Sequence, residues 1–128
     1  MENDPNEFEE NRSFDLESRT EQFARAVRTW IKSLPRTISN AEDIKQLVRA
    51  SGSVAANYIE ANEALSKKDF LMRIKICRKE AKESGLFLRL IDCGGLAESE
   101  LERTRLDDEA NQLMKIFGAI LRRSSPNL

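Results

Sequence analysis

From Phe70 the chain repeats apolar or small residues at Ile74, Cys77, Ala81, Ser84, Leu88 and Ile91, at spacings of 4, 3, 4, 3, 4 and 3. On an α-helix this spacing gathers all seven side chains into one stripe, and a strand, with its period of two, scatters them. Such a stripe needs a partner helix along its whole length, which is the seam of a helical bundle with knobs-into-holes packing. Ser66 with Asp69 supplies a Ser-x-x-acid start, and Gly94-Gly95 supplies the left-handed residues that end the helix. The spacing therefore predicts a helix over 66–93.

Three further segments carry the same kind of signal. Leu16, Phe23, Val27, Trp30 and Leu34 form a stripe closed by Pro35, and Ser18 with Glu21 fits a capping box, so a helix is predicted over 15–34. Ser39 with Glu42 is a second capping box, with Ile38 placed to staple against the first turn, opening a helix over 40–65. Its apolar positions are Ile44, Leu47, Val48, Val54, Ala55, Tyr58 and Ile59. The run Ala50 to Ala56 is small throughout, as expected where a neighbouring helix comes close. A last helix over 99–123 carries Leu106, Ala110, Leu113, Phe117 and Ile120. Four helices with short loops predict an all-α, antiparallel up-down-up-down, left-handed four-helix bundle over 14–123. Residues 1–13 read as a disordered acidic tail and 124–128 as a polar one.

Composition bears on function mainly by exclusion. The chain has no histidine, which removes His-based triads, His general bases and the Glu-x-x-His ligands of di-metal carboxylate bundles. Cys77 and Cys93 would lie about 24 Å apart on one helix, too far to bridge, so reduced thiols are expected, one in the core and one near the surface. Glu60, flanked by small and apolar residues, is expected to be partly buried and bonded to Asn57. No serine has an evident base, so the chain reads as a non-enzyme with no catalytic residue, metal or cofactor. No apolar run approaches the roughly 18 residues of a membrane span, and the start MENDPNEFEE resembles no export signal, so a cytoplasmic location without membrane contact is expected.

The net charge of −1 hides a segregation: residues 1–22 carry 8 acidic and 2 basic side chains, whereas residues 66–93 carry 4 acidic and 8 basic ones. With Phe70 at 0° and about 100° per residue, the seam occupies roughly 300° to 40°. Met72, Ile76, Phe87 and Leu90 fall near 200–260° as a second apolar stripe, a candidate oligomer interface. The alternative is one broad core face spanning both stripes. Lys75, Arg78, Lys79, Lys82 and Arg89, with Lys67 and Lys68, gather at about 60–180°. These are candidate nucleic-acid contacts, because clustered cations neutralise phosphates. The plain alternative is a solvated face with acidic neighbours, such as Lys79 with Glu83. No aromatic residues interleave these cations, which argues against base stacking.

The run QLVRASGSVAANYIEANEALSKKDF (46–70) resembles the four-helix bundle proteins of intervening sequences in bacterial 23S ribosomal RNA genes. The shared pattern is Gln46-Leu47, the small-residue stretch Ser51 to Ala56, Asn57 with Glu60, and Ser66-Lys67-Lys68-Asp69-Phe70; Ala61 stands where many members have glycine. The likeness extends over about 14–123. It implies an up-down four-helix fold and barrel-like homo-oligomers, often pentamers. It also implies kinship with accessory variability proteins, which work with a reverse transcriptase and nucleic acid. Two functions follow as expectations: an RNA- or DNA-binding accessory factor acting through the basic stripe, or an oligomeric scaffold that recruits another protein.

Overall fold

The structure is a computed structural model that describes residues 5–124, with side chains described from Asp15 onward. Four helices make up the described chain, with no strands among them: α1 (Pro5–Trp30), α2 (Ile38–Asn62), α3 (Lys67–Leu90) and α4 (Ala97–Ser124). A single 3-10 turn, Ile31–Ser33, follows α1. Of the two expected tails, positions 1–4 and 125–128 lie outside the described residues, while Pro5 opens α1 and Ser124 ends α4.

Helix starts divide into one that follows the capping pattern and others that depart from it. Ser66 caps α3, its Oγ accepting from Asp69 N at 3.1 Å. At α2 the cap is Thr37, whose Oγ1 accepts from Asn40 N at 3.1 Å, so Ser39 already lies inside the helix. The reason is Asn40, which is buried and held by backbone groups on both sides, so the helix must begin ahead of it. Ile38 is 89% exposed and staples nothing. The α1 helix begins at Pro5 rather than near Asp15; proline suits the first helical position, and the acidic residues that follow suit a helix N-terminus. Ser18 and Glu21 are then mid-helix and bond forward to Gln22 and Arg25. α4 starts at Ala97, slightly ahead of the expected Ser99.

The helices pack in a ring: α1 against α2 and α4, and α3 against α2 and α4. The contacts keep a consistent register. Along α2 and α3, Asn40 reaches Asp92, Arg49 reaches Glu80 and Glu83, and Asn57 accepts from Arg73. Between α1 and α4, Arg19 forks onto Glu109 at 2.7 and 2.8 Å, and the Trp30 indole donates to Ser99 O at 3.0 Å. Phe23, Val27, Leu47, Val54, Ile74, Leu88, Leu106, Leu113 and Phe117 fill the centre. Each large apolar side chain buried there contributes on the order of 1.5–3 kcal/mol before entropic costs.

Within the small-residue run on α2, Gly52 meets a side chain of α1. A Cβ on Gly52 would lie 3.1 Å from Nη2 of Arg28, whose guanidinium reaches across from α1. After Leu90 the chain turns through extended Ile91, and Gly94 and Gly95 take φ of +69° and +76°. This turn folds Cys93 inward, so that thiol is 1% exposed rather than near the surface.

Candidate nucleic-acid interface

The seam residues of α3 face the core as their spacing requires: Ile74, Cys77, Ala81, Ser84, Leu88 and Ile91 are buried, and Phe70 is half-buried at the helix start. α2 covers the flank carrying Arg73, Glu80 and Glu83, and α4 covers the flank carrying Gly85 and Arg89. The sector left over is the outward one. It carries Lys68, Met72, Lys75, Lys79, Lys82, Leu86 and Leu90, all exposed.

Of the five predicted contacts, Lys75, Arg78, Lys79 and Lys82 are exposed and make no ion pair among the described residues. The fifth, Arg89, points aside: its Nη1 lies 2.8 Å from Oδ1 of Asp107 on α4. The anions of α3 are withdrawn from the stripe. Arg49 of α2 donates Nη1 to Glu80 at 3.2 Å and Nη2 to Glu83 at 3.0 Å, and the Glu80 carboxylate is buried beneath it. Glu83 therefore serves Arg49 and not Lys79. Asp69 pairs with Arg73 at 3.8 Å. The result is a net positive outward face whose neighbouring carboxylates are already neutralised.

The predicted apolar stripe divides. Met72 and Leu90 are 48% and 56% exposed, whereas Ile76 is half-buried and Phe87 packs against the core. The alternative of one broad core face thus holds for Phe87 and not for Met72 or Leu90. Leu86, 44% exposed, joins the outward face. A shallow groove of about 460 Å³ at the start of α3 is lined by Ser66, Lys68, Asp69, Leu71, Met72 and Lys75. It places two lysines beside an apolar floor.

Other candidates are built for structure. Burial pushes the Cys77 thiol up to about 12, and its Sγ donates toward Val54 O at 3.5 Å. Cys93 Sγ accepts from Arg103 Nη2 at 2.9 Å. Glu60 is exposed, against the expectation of partial burial; Asn57 bonds instead to Ser53 and Arg73, because the flank of α2 that faces α3 carries Asn57 and not Glu60. Among the described residues no helix is long and apolar enough to cross a membrane.

An all-helical protein of four packed helices with one open basic helix face is the class these observations define. The family model for the 23S rRNA-intervening sequence protein matches residues 12–119. The chain belongs to that family. Its fold is similar to a crystal structure described as a protein with unknown function from the S23 ribosomal protein family of Bacteroides thetaiotaomicron VPI-5482. That similarity covers 84% of this chain and 98% of the other at 23% identity, with a TM-score of 0.69. Among curated proteins no match to the chain was found.

Proposed function

We propose that this protein is a non-enzymatic nucleic-acid or ribonucleoprotein accessory factor of the cytoplasm, which binds polyanion through the outward face of α3. The observation that supports this reading is the electrostatic asymmetry of one helix: Lys75, Arg78, Lys79 and Lys82 have no pairing partner among the described residues, while Glu80 and Glu83 are held by Arg49. Unpaired surface cations are the groups that release counterions from a phosphate backbone. With no aromatic residue on that face, binding is by charge and not by base identity.

The bundle in this proposal is antiparallel and up-down-up-down, which the falling-against-rising register of α2 with α3 and the short loops favour, and it is left-handed, as four-helix bundles commonly are. It assembles as a homo-oligomer, a pentamer in the reading that family likeness favours, with Met72, Ile76, Phe87 and Leu90 at or beside the contact. The exposure of Met72, Leu86 and Leu90 supports a protein-covered face, and also carries the second reading, a scaffold that recruits another protein, such as a reverse transcriptase, without touching nucleic acid. A mobility-shift assay at about 50 mM salt on the parent and on the triple variant Lys75→Glu, Lys79→Glu, Lys82→Glu separates the two. The first reading predicts a shift that the variant loses; no shift from an oligomeric parent leaves the scaffold.

A further inference from the structure

We infer that the acidic N-terminal end of α1 docks on the basic outward face of α3 in a second copy of the chain, where it competes with polyanions. The charges are complementary: residues 1–22 carry 8 acidic and 2 basic side chains, and the α3 face carries Lys68, Lys75, Arg78, Lys79 and Lys82. Of the acidic residues in that segment, Glu17 is bonded to Asn62 and Glu21 to Arg25, and five of the other six, Glu2, Asp4, Glu7, Glu9 and Glu10, lie ahead of Asp15 in the sequence. The place of α1 in the ring points to a second copy. Glu17 meets Asn62, the last residue of α2, so the helix from Pro5 to Leu16 continues past the end of α2. At 1.5 Å per residue that extension is about 18 Å long. α1 packs against α2 and α4, whereas α3 occupies the remaining place in the ring and turns its basic sector outward. α1 and α3 thus stand at opposite corners of the ring, and the basic face that this segment meets is the one on a second copy.

The inference rests on the reading of α3 as an open electropositive face, and the test separates the two. Full-length chains, one preparation ¹⁵N-labelled and one not, are mixed in denaturant and refolded together, with recovered helicity as the control. They are then treated with a water-soluble carbodiimide, which joins carboxylates to lysine amines. At about 50 mM salt, peptides linking residues 1–10 to Lys75, Lys79 or Lys82 should appear with mixed isotopes. They should fall several-fold at about 500 mM, where screening is much shorter in range. They should also vanish in the variant Glu7→Gln, Glu9→Gln, Glu10→Gln, which removes charge and keeps helix propensity. A single-stranded RNA 20-mer should displace them, and the Gln variant should bind that RNA several-fold more tightly than the parent. Links that carry one isotope only, or no links at all, overturn the inference even if RNA binds. Mixed links that RNA leaves untouched uphold the docking and remove the nucleic-acid reading instead.

Discussion

The side-chain amide of Asn40 closes both backbone hydrogen bonds of Asp92: Oδ1 accepts from Asp92 N at 3.0 Å, and Nδ2 donates to Asp92 O at 2.9 Å. The same Nδ2 donates to Pro35 O at 2.9 Å. One buried residue thus ties the loop before α2 to the loop after α3. Asn40→Ala leaves three backbone groups short of partners, and each orphaned group costs about 1–3 kcal/mol. After partial relaxation, the loss should be about 2–4 kcal/mol in urea unfolding, read as a lower midpoint at unchanged slope. Asn40→Asp should cost at least as much, because it faces two carbonyls with an anion. A loss below about 1 kcal/mol for either variant would show that the amide is not holding the loops.

Gly94 and Gly95 share a left-handed backbone and differ in their surroundings. A Cβ on Gly94 would lie 2.8 Å from Cγ of Pro35, whereas one on Gly95 meets nothing within 4 Å. Gly95→Ala should cost about 1 kcal/mol, the backbone penalty alone. Gly94→Ala should cost distinctly more, because the proline ring must also shift. Equal thermal midpoints for the two variants would contradict this.

Arg49 neutralises two carboxylates at once, one of them buried. Arg49→Ala strands Glu80 beneath the surface, with an expected loss of about 1–2 kcal/mol, below the range for fully buried pairs because the guanidinium is half exposed. The double variant Arg49→Ala, Glu80→Gln should recover part of that loss. A cycle of four urea melts measures it, and strict additivity would mean that the two residues do not interact.

Burial pushes the Cys77 thiol up to about 12 from an ordinary value of 9.0. A folded-state value raised in this way gives stability that is complete below pH 9 and lost as pH climbs toward 12. The slope is about 1.4 kcal/mol per pH unit in that window. Between pH 8 and 10.5 the parent should therefore lose about 2 kcal/mol more than Cys77→Ala, since other titrating groups cancel in the comparison. Parallel losses in the two proteins would show that the thiol is not excluded from water.

The heptad on α3 was legible because every member of it is decided by one neighbour surface, and a single helical period encodes that. The Ser66 cap was legible for the same local reason. What the sequence could not convey was which neighbour covers which flank. Phe87 belongs to the second apolar stripe, yet it packs against the core, and Glu80 is buried because Arg49 of α2 extends across it. Thr37 displaced Ser39 as the α2 cap because of a contact between Asn40 and Asp92, residues far apart in sequence. The five basic residues were found by angle alone, but only the fold separates Arg89, turned toward Asp107, from the four that are unpaired.

The open basic face is tested most directly by the salt dependence of binding to a single-stranded RNA. Four phosphate contacts per chain, one for each of Lys75, Arg78, Lys79 and Lys82, predict a log–log slope of about −3. Removing three of them with Lys75→Ala, Lys79→Ala and Lys82→Ala should shrink its magnitude by about 2 while helicity is unchanged. A slope that the triple variant leaves as it was, or a parent that binds nothing at about 50 mM salt, would contradict the account.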